Sequence, residues 1–248
     1  MLAGTAGLFG ALLGSFLNVV VHRLPRGESL VRPRSHCPRC ATPILSRDNV
    51  PLVSWVLLRG RCRACATPIS ARYPLVELLT AAVFAAVVLV RGPGAELLLE
   101  LPFAAMLIAV AAIDLDLRIV PNHILAPAAL WALGGAALLD PGRLPELVVA
   151  ALAAFGLLLA AALIRPGGMG MGDVKLAGVM GLFLGTAVAP ALLTAFLAGS
   201  LAGLAVIARR GVAGRKVALP FAPFLALGGL VGLLAGPELV SFYVERFL

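Results

Sequence analysis

Residues 147–164 have the sequence LVVAALAAFGLLLAAALI, a stretch without a single charged side chain. An α-helix needs about 20 predominantly apolar residues to cross roughly 30 Å of hydrocarbon, so this stretch predicts a transmembrane helix. Similar stretches recur along the 248-residue chain, of which 61% is apolar and 13% charged, with a mean hydropathy of +1.03. A water-soluble globule of this composition would expose too much apolar surface. The sequence therefore predicts a membrane protein.

The apolar stretches favour helices over a β-barrel. No ten-residue alternation of apolar and polar residues is present, and Ala, Leu and Gly predominate over β-branched and aromatic residues. Helices satisfy their own backbone hydrogen bonds in lipid. We predict an all-α, polytopic transmembrane helix bundle with about eight spans, at 2–22, 74–91, 97–113, 123–139, 147–164, 176–188, 189–208 and 218–236.

The positive charges predict the orientation of these spans. If the N-terminus is outside, the inner connections are 23–73, 114–122, 165–175 and 209–217. They carry seventeen of the twenty Lys and Arg residues, ten of them in the first connection, and only Arg91, Arg143 and Arg246 lie outside. Such a bias places the first connection in the cytoplasm. Topology thus accounts for the net charge of +8, and we expect no nucleic-acid partner.

All four cysteines lie in that first connection, as Cys37-Pro-Arg-Cys40 and Cys62-Arg-Ala-Cys65. Two Cys-x-x-Cys pairs at this separation resemble a zinc ribbon, and a structural Zn²⁺ would stabilise a loop too small for its own core. Two disulfides or four free thiols are the alternatives, although a reducing cytoplasm disfavours disulfides. We predict three parts: the first span at 1–22, a cytoplasmic cysteine-rich, zinc-ribbon-like loop at 23–73, and a membrane bundle at 74–248.

Two acidic segments lie at the predicted inner ends of spans. Asp114 and Asp116 follow the third apolar stretch, and Asp173 follows the glycines of 167–172. An ionisable residue at such a boundary indicates a functional site, although Asp173 could instead cap a helix and Asp116 could be solvated. If packing brings Asp114 and Asp173 together, the pair could share one proton, as an aspartyl protease requires. Gly170, Gly172 and Lys175 would then lie at the rim of the site, where glycine allows close approach of the backbone.

At this point the chain resembles the bacterial type IV prepilin leader peptidases, also called prepilin peptidase/N-methyltransferases. The resemblance covers nearly the whole sequence. It rests on the cysteine tetrad and on segments 14–25, 49–55, 72–78, 112–122 and 170–175. Family members often carry Asp where this chain has Asn122. This departure weakens a role for that position and leaves the acidic pair intact.

The resemblance implies the fold, the reaction and the location. It implies that residues 74–248 form a multi-pass peptidase bundle in the cell inner membrane, with the active site facing the cytoplasm. Asp114 and Asp173 become the catalytic pair, and Asp116 a neighbour that tunes it. The substrates become type IV prepilins or type II secretion pseudopilins, each held in the lipid bilayer by its apolar helix. The sequence gives no oligomeric state.

The resemblance also implies a second reaction, methylation of the new N-terminus by S-adenosyl-L-methionine, since members with the cysteine tetrad are typically bifunctional. Glu77, near the inner end of the second span, is a candidate for contact with that cofactor or with the new amine. A transporter or proton-conducting protein with boundary carboxylates is the main alternative, and its acids are expected near mid-bilayer. A scaffold built on the zinc loop is the second, and it leaves the Asp segments unexplained.

Overall fold

A computed structural model describes residues 1–165, 168–211 and 218–247. Gly167, Arg215 and Lys216, which entered the predictions above, lie outside the described residues. Within the described part the chain forms α-helices and has no named strand. The helices are α1 Leu2–Arg23, α2 Val53–Leu57, α3 Arg72–Arg91, α4 Leu97–Leu117, α5 Asn122–Leu139, α6 Leu144–Ile164, α7 Met171–Leu184, α8 Val188–Arg210 and α9 Ala222–Phe247.

The long apolar helices confirm the predicted all-helical membrane bundle. Seven candidate spans are long and apolar enough to cross a bilayer in the described part of the chain. One of them, Met171–Arg210, contains both α7 and α8, which a short 3₁₀ segment at Gly185–Ala187 separates. Eight long helices therefore correspond to the eight predicted spans.

Several helix ends differ from the predicted span ends. The helix α4 continues one turn beyond 113, and α7 begins at Met171 rather than 176, so both acidic segments lie inside helices. The helix α9 begins at Ala222 and continues past the predicted end at 236 with Pro237 inside it. A proline removes one backbone donor from a helix but need not end it.

The chain forms two compact units, Met1–Pro93 and Gly94–Leu248. In the first, α1 packs along α3 through glycines. A Cβ on Gly10 would lie 2.7 Å from the Thr80 carbonyl oxygen, and one on Gly14 would lie 2.8 Å from the Cα of Glu77. Small residues allow this close helix packing, as in other membrane helix pairs. The Asn18 amide donates to the Tyr73 carbonyl at 3.2 Å and links the two helices.

The second unit is built around α4, the most buried of its helices. It packs against α5 and α9, while α6 packs on α7 and α8 packs on α9. Phe103, Leu107 and Ile113 of α4 are fully buried, and the Phe103 ring stacks on Phe183 of α7 at 4.6 Å between ring centroids. The buried Ile113 extends the packing of α4 to the turn that carries Asp114.

Candidate functional site

Asp114 lies in the last turn of α4. That helix ends at Leu117, and the next residue, Arg118, has left-handed backbone (φ 55°, ψ 42°) and donates its N–H to the Asp114 carbonyl at 3.0 Å. The Asp114 side chain is buried, and its Oδ2 accepts a hydrogen bond from the backbone N–H of Ala222 at 3.1 Å. Ala222 is the first residue of α9. The carboxylate therefore meets the N-terminus of another helix.

Asp173 lies in the first turn of α7. Gly170 holds the N-cap position in extended backbone (φ −76°, ψ 142°) and accepts at its carbonyl from the Asp173 N–H at 3.1 Å. The N-cap residue Gly170 has no side chain, and its backbone N–H acts on the Asp173 carboxyl group, which agrees with the local capping role considered for Asp173. The Asp173 side chain is 9% exposed, and its Oδ1 has no hydrogen-bond partner among the described residues.

The two carboxyl groups line one pocket with a volume of about 270 Å³. Its wall consists of Asp114, Arg118, Ile119, Val120, Gly170, Gly172 and Asp173. Asp114 is close enough to act electrostatically on Asp173, and Arg118 acts in the same way on Asp114. The fold thus brings together two acids that are far apart in the sequence. Such a pair can share one proton.

Gly172 is required where the start of α7 meets the wall of the pocket. A Cβ at this position would lie 2.7 Å from the Cβ of Val120, closer than real side chains approach one another. At Gly170 a Cβ would meet Asp173 Oδ2 at an ordinary 3.4 Å. Both glycines predicted at the rim therefore lie at the pocket, and Gly172 has the stricter steric requirement.

Lys175 and Asp116 lie beside the pocket rather than in its wall, as far as the described residues define that wall. The exposed Lys175 ammonium donates to Asn122 Oδ1 at 3.1 Å and links α7 to the first residue of α5. Asp116 is exposed on α4. The amide of Asn122 thus accepts a hydrogen bond from a lysine beside the pocket.

The four cysteines form a second cluster, in the first compact unit. Their Sγ atoms all lie within 4.8 Å of one another, and Cys37 Sγ and Cys65 Sγ are 3.7 Å apart. A tetrahedral Zn²⁺ with Zn–S distances of about 2.3 Å places its sulfur ligands about 3.8 Å apart. This donor set therefore fits Zn²⁺, and the proximity of all four thiols agrees with the predicted zinc-ribbon-like loop.

Each half of the cluster repeats the same local structure. In segments 36–44 and 61–69, Cys37 and Cys62 each accept at the carbonyl from the residue four positions later, both at 2.9 Å. Their N–H groups donate to Thr42 and Thr67, at 3.0 and 2.8 Å. The sequence Cys-x-x-Cys-Ala-Thr-Pro-Ile occurs in both segments. This repeated sequence could have predicted two turns of equivalent structure, which the spacing of the cysteines alone does not predict.

Hydroxyl groups beside the sulfurs favour thiolate. The Thr67 hydroxyl, 3.2 Å from Cys65 Sγ, lowers the pKa of that thiol to about 6, and the Thr42 hydroxyl lowers the pKa of Cys40. Arg63, between Cys62 and Cys65, donates two hydrogen bonds to Asp48 at 2.6 and 2.9 Å. This ion pair fastens the second turn to the segment between the two cysteine pairs.

Glu77 lies on α3 and is buried. Its Oε2 accepts from the backbone N–H of Leu52 at 2.7 Å. Leu52 has a positive φ of 62°, which a leucine rarely adopts, and it immediately precedes α2. One carboxylate oxygen of Glu77 therefore holds a backbone turn of the loop. Its predicted contact with a cofactor stays a prediction.

Comparison with known proteins assigns the family. Residues 8–91 match the bacterial peptidase A24 N-terminal domain, and residues 101–208 match the type IV leader peptidase family. The chain belongs to the type IV leader peptidase family. No solved structure matches it.

Three relatives illustrate the similarity. A prepilin leader peptidase/N-methyltransferase of Aeromonas hydrophila is 38% identical over 97% of this chain and 93% of its own length. One of the same name from Bacillus subtilis is 36% identical over 97% of both chains. A type 4 prepilin-like proteins leader peptide-processing enzyme of Escherichia coli is 39% identical over 89% of both chains. Membership in this family disfavours the transporter alternative.

The sequence did not single out four contributors to the pocket. Three of them lie in the short connection between α4 and α5, namely Arg118, Ile119 and Val120. Because residues of a short connection stay close to the end of the preceding helix, their place beside Asp114 could have been predicted. Ala222 had no local signal. Its contact with Asp114 depends on the packing of α4 against α9, which sequence periodicity does not fix.

Proposed function

We propose that this chain is a membrane aspartyl endopeptidase that removes the leader from type IV prepilins or pseudopilins and N-methylates the new N-terminus. The observation that carries this proposal is the single pocket lined by both Asp114 and Asp173. These two residues are the proposed catalytic pair. One carboxylate takes a proton from water, and the other, protonated, donates to the carbonyl oxygen of the scissile peptide.

The position of the pair at helix ends fits a substrate held in the membrane. Asp114 lies in the last turn of α4 and Asp173 in the first turn of α7, so both acids lie near the ends of candidate spans rather than at their centres. A prepilin with an apolar helix in the bilayer and a basic leader in water presents its scissile bond at that depth. Gly170 and Gly172 leave room for the substrate backbone beside the pair.

The cysteine cluster is the proposed site of a structural Zn²⁺ bound by Cys37, Cys40, Cys62 and Cys65. The thiol spacing and the thiolate-favouring hydroxyls support this role. When bound, the ion links the two repeated turns and stabilises a loop that has few buried apolar residues. Asp48 and Arg63 add an ion pair that holds the second turn in place.

The proposed methyl donor is S-adenosyl-L-methionine, as the names of the N-methyltransferase relatives suggest. Glu77 remains a proposed contributor through its position between α3 and the loop. Lys175 and Asp116 are proposed to act at the edge of the pocket, Lys175 by fixing Asn122 and α5.

We place the chain in the cell inner membrane with its N-terminus outside, on the basis of the Lys and Arg distribution. A cysteine introduced at the exposed Ser46 should then react with a membrane-impermeant label only from the cytoplasmic side. A cysteine at the exposed Gly142 should react from the opposite side. The reverse pattern contradicts the orientation and the location of the pocket.

The function is tested with purified protein, a prepilin substrate and labelled S-adenosyl-L-methionine. Mass spectrometry of the mature N-terminus should show cleavage at one peptide bond and one added methyl group. Absence of cleavage with several prepilins and pseudopilins contradicts the peptidase proposal, and cleavage without methylation contradicts only the second reaction.

A further inference from the structure

The two acids of the pocket have different partners, because Asp173 lies in the first turn of its own helix, α7, whereas Asp114 accepts a hydrogen bond from the first residue of another helix, α9. The Phe221 carbonyl accepts from the Leu225 N–H at 3.1 Å, which makes Ala222 the first residue of α9. The N–H of a first helical residue has no partner within its own helix. Here that donor is used by Asp114 Oδ2 at 3.1 Å, and both residues are buried.

Two neighbouring groups stabilise a negative charge on the buried Asp114. The N-terminus of α9, a helix of 26 residues, carries the positive end of the helix dipole. Arg118, the residue that directly follows α4, adds an attractive positive charge. The acidic group that faces it from the second neighbouring helix, α7, is Asp173.

The surroundings of Asp173 favour a neutral carboxyl group. Its Oδ1 is buried and has no hydrogen-bond partner among the described residues. The other side of the carboxyl group faces Gly170, whose backbone N–H acts on it, and the charged group that acts on it is the like charge of Asp114. A buried carboxylate with one unpartnered oxygen beside a like charge loses hydration that is not replaced, whereas a protonated carboxyl loses much less.

We propose that the Ala222 amide fixes the division of labour in the pair: Asp114 is held as the carboxylate, and Asp173 carries the shared proton. This inference rests on the proposed peptidase function and adds Ala222 as a positioning residue. Asp114 is thereby assigned as the base and Asp173 as the acid of the first step.

The reaction changes the protonation of both acids and then restores it. Asp114 takes a proton from water while the water oxygen forms a bond to the scissile carbonyl carbon, and the carbonyl oxygen takes the proton of Asp173. In the resulting tetrahedral diol, the C–N bond breaks as the nitrogen takes the proton from Asp114, and one hydroxyl returns a proton to Asp173. The products are a carboxylic acid and an amine, and the pair is restored.

Infrared spectroscopy of the full chain tests the assignment without any substrate. The carbonyl stretch of a protonated carboxyl is measured at one pH in Asp114→Asn and in Asp173→Asn, each against the double variant as reference. The reference removes the signals of other buried acids such as Glu77 and Glu100. The ratio of protonated to ionised carboxyl should be at least about tenfold higher for the remaining Asp173 than for the remaining Asp114. An equal or reversed ratio overturns the assignment.

A matched pair of variants tests the role of the amide. Ala222→Pro removes only the N–H and suits the first position of a helix, while Ala222→Val adds the same number of carbon atoms and keeps the N–H. In the Asp173→Asn background, the proline variant should raise the protonated fraction of Asp114 about tenfold relative to the valine variant. Equal spectra overturn the role of Ala222.

These outcomes are separate from the test of the proposed function. The asparagine variants preserve side-chain size, so their comparison remains decisive even if Ala222→Pro fails to fold. A protein that shows the expected spectra but cleaves no prepilin contradicts the peptidase proposal and leaves the asymmetry in place. A protein that cleaves prepilin but shows the reversed ratio contradicts only the assignment of roles.

Discussion

The aspartate pocket is assembled from α4, α7 and the connection that follows α4, whereas the cysteine cluster is assembled from two segments with one repeated sequence. In the pocket, Asp114 and Asp173 are buried by helices packed through residues such as Phe103 and Phe183. In the cluster, Cys37 is buried and the other three thiols are half-buried. The first site therefore depends on tertiary packing, and the second on local turns and a proposed metal.

The two sites should therefore respond differently to substitution. Substitution of a reacting group in the pocket should abolish catalytic activity and preserve the folded structure, because the surrounding helices do not rely on that group's charge. Changing a ligand in the cluster should remove local structure and leave the pocket's chemistry, because a small loop depends on its metal for stability.

The largest effect is expected for the acids of the pocket. Asp114→Asn and Asp173→Asn should each lower kcat for prepilin cleavage by about a thousandfold or more, since each keeps side-chain size and removes a titratable oxygen. Because the two groups act as one unit, the double variant should be hardly worse than either single variant.

Asp116→Asn is the matched control for this prediction. Asp116 is exposed and lies about 200° around an ideal helix from Asp114, so this variant should keep substantial activity. Full cleavage with Asp114→Asn, together with loss of cleavage in Asp116→Asn, would show that the reacting acid of this segment is Asp116 and not Asp114.

Next in size is removal of one thiol. Cys37→Ser should lower bound zinc from about one ion per chain to almost none and loosen residues 36–66, measured by metal analysis and hydrogen exchange. Methylation should fall more than cleavage, because the catalytic pair belongs to the other compact unit. Ser46→Ala, an exposed change in the same loop, should alter neither property. Wild-type protein purified without any bound metal contradicts the zinc proposal.

A smaller effect is expected where the backbone approaches the pocket wall. Gly172→Ala should lower kcat about tenfold or more by pushing the start of α7 away from Val120, since a misplacement of about 1 Å can cost 10²-fold in rate. Adding Val120→Gly should restore much of this loss. Gly156→Ala, where a Cβ meets open space within 4 Å of the described atoms, should be close to neutral. No rescue by Val120→Gly would show that the steric account is wrong.

The smallest effect concerns the exposed ion pair. Arg63 holds the pKa of Asp48 below its ordinary value of 3.8. The ion pair therefore contributes fully to stability at pH values above 3.8, and this contribution is lost as the pH falls through the lowered pKa. Asp48→Asn should therefore speed zinc transfer to a chelator a few-fold, by a ratio that stays constant from about pH 7 to about pH 5. A ratio that changes over this range would identify another titrating group as the cause.

Sequence reasoning predicted the helices and the cysteine cluster well, because both are encoded locally. Apolar length located the long helices, which form seven candidate spans in the described part of the chain, and the four thiols are close together as their spacing indicated. It placed Asp114 after its span and Asp173 before its span, whereas the structure includes both in helices, since helix ends depend on the backbone of Gly170 and Arg118. The contact between Asp114 and Ala222 could not be predicted, because it joins residues distant in sequence.

The close packing of α1 on α3 has a consequence for the order of events during synthesis. Asn18 has its partner Tyr73 only after the whole intervening loop has been translated, which takes several seconds at about 5–20 residues per second. Until then, the glycine face of α1 that includes Gly10 and Gly14 has only lipid or another protein as its neighbour. The newly synthesised first helix therefore lies in the bilayer without α3 for this interval, and the cysteines are translated during it.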